Sequence, residues 1–354
     1  MILMCKDNPV YDIGDNIIIN KDLVPGAMLK GMSYEKWKES RGFLLSNYSA
    51  RQILFRVTLN RNRDEVLKST HMLSLSDCYW TKEADESMSF DDITPYKKKF
   101  WNNANEPYEG GALPTLYLNG AIDKYWLDSD WLFKIGCEQE VEAYELAKIL
   151  GIPCNEIKLY SDHDINGKEV KGIAVKNFTD TDSMLEPVNF SGKIDINAVY
   201  ADENEIIDMF GHDCGYTMMC FDIIIGNTDR HTQNYGFRRN ANTGEYSGMA
   251  PLYDFNCILG DEKAGRFLID NVPINSLMEM MCLKTLKQSS HPIFRERSAM
   301  ILDKHFARTN YKAEQVSSKD EYMAQIKDKM AADGKIDEDR QKTARTAMKD
   351  KSSR

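Results

Sequence analysis

The sequence predicts an α+β protein in two lobes, the first rich in strands and the second mainly helical. Three observations carry that expectation. A strand–turn–strand pattern at Tyr125–Gly136 runs directly into the cleanest helical periodicity of the chain at Glu138–Leu150. A long apolar stretch, Ile206–Ile225, has the composition of buried helix. With 354 residues, the chain can bury a core divided between two such bodies.

In chain order, residues 1–100 mix short β-like runs with helical stretches and carry no chemical motif. Arg51–Leu67 is expected to be helical, with Leu54, Val57 and Leu67 on an apolar face. Tyr108-Glu-Gly-Gly-Ala-Leu-Pro114 is loop-like, and Asn119-Gly120 is a turn signal. In the helix over Glu138–Leu150, Val141, Tyr144, Ala147 and Leu150 share one face. Gly151 stops it and Pro153 prevents continuation. Cys154–Tyr160 and Lys171–Phe178 read as strands around a turn at Asp162–Gly167. A hairpin is expected at Tyr235–Ala250, turning at Asn240–Gly244. These elements divide the chain into an N-terminal lobe with an accessory segment at 1–178, a helical C-terminal lobe at 179–316, and a charged tail at 317–354.

Composition excludes several functions. A net charge of −10 opposes unaided binding to duplex DNA, which requires a basic face. Eight scattered cysteines contain no C-x-x-C pair, which argues against zinc-ribbon and thioredoxin-type chemistry. No apolar run approaches the roughly 20 residues of a membrane span. The first twenty residues mix Lys6, Asp7, Asp12 and Asp15 among apolar ones, unlike an export leader. Free thiols without an export signal point to the cytoplasm.

The informative segment is Ile225-Gly-Asn-Thr-Asp229-Arg-His-Thr-Gln-Asn234, between the apolar stretch and the hairpin that returns at Pro251-Leu-Tyr-Asp254-Phe. An Asp five residues before an Asn means little alone. In this setting it suits phosphoryl transfer, which needs a carboxylate to accept a hydroxyl proton and oxygen ligands to hold Mg²⁺ on the phosphates. Asp229, Asn234 and Asp254 stand in that order, and the hairpin can bring Asp254 back beside Asn234. The competing reading has all three capping turns and helices. A nucleotide site also needs a strand lysine held by a helix carboxylate. Lys134 lies within apolar Trp131-Leu-Phe-Lys-Ile135, and Glu138, Glu140, Glu142 and Glu145 on the next helix all offer a partner.

The run Gly-Asn-Thr-Asp-Arg-His-x-x-Asn, followed by Ala-Pro-Leu-Tyr-Asp, resembles the catalytic core of the HipA-like kinases over about residues 107–310. The resemblance implies a protein-kinase-like fold and an ATP- and Mg²⁺-dependent protein serine/threonine kinase. It implies Asp229 as base and Asn234 and Asp254 as metal ligands. It selects Glu140, six residues before Leu146-Ala147, as the partner of Lys134, leaving the other three glutamates to a solvated face. Gly120-Ala121 and Lys124 resemble the family's phosphate-covering loop. By the same resemblance the adenine sits near Ala174–Phe178, with Val175 and Asn177 as backbone contacts. Arg230 and His231 stand beside the base, either to bind phosphate or to orient Asp229; a structural loop histidine is equally compatible.

Some family members switch themselves off by phosphorylating a loop serine. Tyr117 occupies that position here, with Thr115 nearby, which argues against that route. Many HipA-like kinases are toxins paired with a small DNA-binding antitoxin, so the implied partners are a protein substrate and a regulatory protein of that kind. Two other readings use the same residues. A catalytically quiet nucleotide-binding module is opposed by Lys134, Asp229, Asn234 and Asp254 all being present. A lipid or small-molecule kinase is opposed by the lack of an apolar or basic membrane-facing segment.

Overall fold

The structure is a computed structural model describing all residues except 42–46, 59–64, 66–67, 102–107, 119, 121, 164–166, 259–274 and 309–354. Leu67, Ala121 and the expected tail at 317–354 therefore lie outside the described residues. The chain divides into two units, Met1–Gly265 and Arg266–Arg354.

In the first unit, β1 (Ile2–Cys5), β2 (Asn8–Asp12), β3 (Ile17–Ile18) and β4 (Tyr79–Lys82) form an antiparallel sheet in the order β3-β2-β1-β4. Helices α1 (Tyr34–Ser40), α2 (Tyr48–Thr58) and α3 (Phe90–Ile93) belong to the same segment. α2 starts three residues earlier than expected and buries Leu54 and Val57. Leu3, Trp37, Leu75 and Trp80 of this segment lie in a buried core that also takes in Tyr117, Met184 and Ala241.

The second sheet is built from β5 (Lys124–Trp126), β6 (Trp131–Ile135), β7 (Ile157–His163) and β8 (Glu169–Lys176), all antiparallel in the order β5-β6-β8-β7. Its centre is tight. A Cβ on Gly172 would stand 2.0 Å from the Lys134 carbonyl oxygen, so only glycine lets β8 approach β6 at the site lysine.

Between β6 and β7, α4 (Gln139–Leu150) ends on Gly151 in the left-handed region, the stop the sequence marks. Its buried face differs from the expected one: Glu140, Ala143, Leu146 and Ala147 are buried, whereas Val141, Tyr144 and Leu150 are half-buried. The helix is turned to bring Glu140 inward onto Lys134, which apolar spacing alone does not reveal.

β9 (Ser183–Pro187) leads to α5 (Glu203–Ile225), which opens with an Asp202/Glu205 capping box and is interrupted at Gly211 by a non-helical φ of 78°. Gly226, at φ 69°, closes α5 and throws the chain into the Asn227–Asn234 loop. The hairpin of β10 (Gly236–Asn240) and β11 (Tyr246–Met249) joins β9 in a third sheet ordered β11-β10-β9. The chain is then pinned by a bridge between Cys154 and Leu252, with Leu252 N–H donating to the Pro153 carbonyl at 2.9 Å. Beyond that anchor, Asp254 meets the first turn of α4. In the second unit, α6 (Ser276–Gln288) and α7 (Pro292–Arg308) pack on each other. Among the described residues no helix is long and apolar enough to cross a membrane.

Candidate active site

The centre of the site is a buried charge cluster. Lys134 Nζ donates to Glu140 Oε1 at 2.9 Å and Oε2 at 3.2 Å, and to Asp254 Oδ1 at 2.9 Å. Lys134 is 5% exposed and Glu140 fully buried. Burial acts against the lysine charge, but the two carboxylates overcome it and raise the pKa above its ordinary value. Burial likewise opposes ionisation of Asp254, yet Lys134 and then Lys124 hold its carboxyl well below the usual range. Glu138, Glu142 and Glu145 are exposed, and Glu145 pairs with Lys148 at the surface.

Helix α4 also grips the chain just beyond Asp254. Phe255 N–H donates to Glu140 Oε2 at 3.2 Å, and Gln139 Nε2 to the Asn256 carbonyl at 3.0 Å. Asp254 has φ 60°, a left-handed conformation that Asp tolerates better than most residues and that these bonds keep in place.

Lys124 lies opposite Lys134 across the β5–β6 ladder and is also buried. Burial pulls its pKa down, opposed chiefly by Asp254. Like charges at cross-strand positions repel, and Asp254 is the carboxylate that acts most strongly on both lysines. Gly120 is exposed at φ 103°, and a Cβ there would come within 3.0 Å of Lys124 Nζ. Asn47 Nδ2 donates to the Lys124 carbonyl and Asp123 accepts from Ser49 N–H, tying α2 to the strand after the Gly120 loop.

The loop after α5 holds its shape through backbone groups. Asn234 Nδ2 donates to the Asp229 carbonyl at 2.9 Å, which leaves the Asn234 amide oxygen as the atom suited to a cation. The Asp229 carboxylate is 38% exposed. Around it stand Cys257, whose thiol donates to Oδ2 at 3.7 Å, and His231, with Nε2 at 3.9 Å. His231 Nδ1 accepts from Gln233 N–H, which puts the proton of the neutral ring on the nitrogen nearer Asp229. Burial and then the Asp229 charge push the Cys257 thiol pKa up. Among the described residues no cluster of three His, Cys, Asp or Glu forms a metal cage, so a cation here would draw on its nucleotide for further oxygens.

The expected adenine contacts are placed less openly. Val175 sits inside the sheet, paired with Leu132 and Ile157. Asn177 donates its N–H to the Asp130 carbonyl at 2.7 Å and its Nδ2 to the carbonyls of Leu75 and Ser129, so these groups are committed to the fold. The Arg230 guanidinium points into the protein. Its Nε and Nη2 grip Asp222, a residue the sequence reading passed over. The available signal was a carboxylate inside the apolar run of α5, where burial demands a partner. The contacts of Cys257, Gln139 and Phe255 gave no such sign.

The family model described as HipA-like C-terminal domain matches residues 110–335, well over half of the chain. The chain belongs to that family. The match passes residue 310, where the resemblance was expected to end, and enters the stretch beyond the described residues. This HipA-like chain has the α+β, protein-kinase-like fold of its family, and with it a kinase-type function. Solved structures similar to it include the following two. One is the Helicobacter pylori proinflammatory kinase CtkA, at 17% identity and TM-score 0.35, covering 54% of this chain and 91% of that one. The other is from the Shewanella oneidensis MR-1 toxin–antitoxin complex of HipA, HipB and operator DNA. It has 12% identity and TM-score 0.48, covering 94% of this chain and 96% of that one. No curated protein matches the HipA-like chain in sequence.

Proposed function

We propose that this HipA-like chain is an ATP- and Mg²⁺-dependent protein serine/threonine kinase. The observation that carries this reading is the buried Lys134–Glu140–Asp254 cluster, built from a strand, a helix and the chain returning from the hairpin. Lys134 binds the nucleotide phosphates, Glu140 orients it, and Lys124, beside Gly120, adds a second cation. Val175 and Asn177 border the adenine. Asp254 and Asn234 offer the hard oxygen donors that Mg²⁺ prefers, and bound Mg²⁺ supplies charge neutralisation on the phosphates. Asp229 accepts the proton of the substrate hydroxyl, with His231 and Cys257 holding its carboxylate.

A protein substrate and a small DNA-binding regulatory protein of the antitoxin kind complete the reading, which rests for these partners on family membership. The net charge of −10 supports leaving DNA contact to the partner. Eight free thiols support a cytoplasmic setting.

Incubation of the purified chain with radiolabelled ATP, Mg²⁺ and a cell lysate tests the reading. Labelling of a lysate protein on Ser or Thr is expected. Absence of both labelling and Mg²⁺-dependent ATP turnover would exclude a kinase. Asp254→Ala should weaken Mg-ATP binding, measured by calorimetry, more than Asn234→Ala does, because an anionic ligand binds Mg²⁺ more strongly than an amide oxygen. Intact binding in both variants would put the metal elsewhere.

Self-phosphorylation at the family's loop position is not expected. Tyr117 is buried with its hydroxyl bonded to Thr70 Oγ1 at 2.6 Å, and burial pushes its pKa up to about 12. Thr115 is 2% exposed, and its Oγ1 accepts from Trp126 N–H. Mass spectrometry after incubation with Mg-ATP should find neither residue phosphorylated, and phosphate on either would show that this segment opens.

A further inference from the structure

Arg230 follows the candidate base, yet its guanidinium points into the protein, with the side chain 9% exposed. Nε donates to Asp222 Oδ2 and Nη2 to Asp222 Oδ1, both at 2.9 Å. Nη1 donates to the carbonyl oxygens of Asn234 and Tyr253, both at 2.7 Å. The guanidinium carbon lies 5.4 Å from the Phe255 ring centroid. Asp222, in the last turn of α5, is itself held by Asn227 Nδ2 at 2.9 Å.

One of the two carbonyls on Nη1 belongs to Asn234, and the other to the residue preceding Asp254. The two proposed metal ligands lie on separate segments, with the β10–β11 hairpin between them in sequence, and a single nitrogen joins their backbones. We propose that Arg230, clamped by Asp222, is the positioning residue that fixes the spacing of Asn234 and Asp254 and so sets the cation affinity of the site. The metal part of this inference rests on the kinase reading; the clamp belongs to the ligand-free protein. Arginine suits the task because its planar fork engages a carboxylate along one edge and two carbonyls along the other. Lysine keeps the charge but has one nitrogen, which cannot span both edges.

Arg230→Lys tests the proposal with three measurements. The first is amide hydrogen exchange of the ligand-free protein across residues 233–235 and 252–256. The second is the Mg²⁺ concentration giving half-maximal ATP binding, and the third is ATP binding in EDTA. Exchange in both segments should accelerate at least tenfold while the β5–β8 sheet is unchanged. The Mg²⁺ requirement should rise at least tenfold, with metal-free ATP binding within twofold of the parent. Exchange unchanged in the two segments, acceleration spread evenly over the whole chain, or a Mg²⁺ requirement within twofold of the parent would each overturn the proposal. If Arg230→Lys does not fold, Asp222→Asn, which keeps the shape of the clamp and removes its charge, is read by the same criteria. A parent protein that binds no Mg-ATP would overturn the kinase reading instead, and the exchange measurement would still decide the clamp.

Discussion

Asp229→Asn is expected to abolish phosphoryl transfer while leaving the fold and ATP binding intact. The loop is shaped by the Asp229 backbone, which the substitution preserves: its N–H donates to Asn227 Oδ1 at 3.2 Å, and its carbonyl accepts from Asn234 Nδ2 and from His231 N–H, both at 2.9 Å. Among the described residues, the carboxylate itself makes the longer contacts to Cys257 and His231. An amide keeps the shape but cannot take the hydroxyl proton. A positioned acid–base group contributes about 10²–10⁴ in rate, so single-turnover transfer at saturating Mg-ATP should fall by at least 10². Calorimetric ATP affinity should stay within about twofold, since the residue touches no proposed metal ligand through its side chain. A rate loss under about tenfold would remove Asp229 from the role of base.

The parts of this site that sequence made legible are those whose chemistry is local. Asp229 and Asn234 lie five residues apart on one loop, and the Asn240–Gly244 turn announced the hairpin that carries the chain back to Asp254. Glu140 is six residues from Lys134, close enough for a strand and the following helix to be read as one unit. The Arg230 clamp was not legible, because its two carbonyl acceptors are backbone groups, which every residue possesses and no motif records. Even the direction of the Arg230 side chain depends on Asp222, one turn before the end of α5, being available to receive it.

How the accessory segment is attached is hidden as well, because the partners lie far apart in sequence. Glu186 on β9 accepts from Gly26 N–H, Arg239 Nη1 and Tyr246 OH, each at 2.8 Å, while Arg239 also reaches Tyr79 OH at 3.0 Å. This buried knot joins residues from the first eighty positions to the hairpin beyond the Asn227–Asn234 loop. The contacts of that segment in this knot are packing and charge satisfaction across long sequence separations, which no local pattern records. Burial, the largest influence, raises the Glu186 pKa despite Arg239. Its partners leave the carboxylate hydrogen-bonded, as a buried acid requires.

Lys134→Met is expected to cost both activity and stability, with a pH dependence that identifies the cause. The Lys134 side chain is 6% exposed and that of Glu140 1%, so solvent screens the pair little. Removing the ammonium leaves Glu140 with the Phe255 N–H as its partner, and breaking a buried ion pair from one side costs about 3–5 kcal/mol. Glu140→Gln is the milder change, because Lys134 retains Asp254 at 2.9 Å. Asp254 supplies the pH dependence. In the parent its depressed folded pKa gives stability that is fully present above the ordinary carboxylate value and lost as pH falls below that value toward the depressed one. The variant lacks the cation that does most to hold this carboxyl down, so the gap between parent and variant narrows on acidification. Urea unfolding should therefore show a difference of about 3–5 kcal/mol at neutral pH that shrinks below about pH 4. Phosphoryl transfer should fall by at least about 10² at neutral pH, since the phosphates lose the strand cation that positions them. A stability gap that stays constant across this range would mean that Lys134 is not the residue that keeps the Asp254 carboxyl charged.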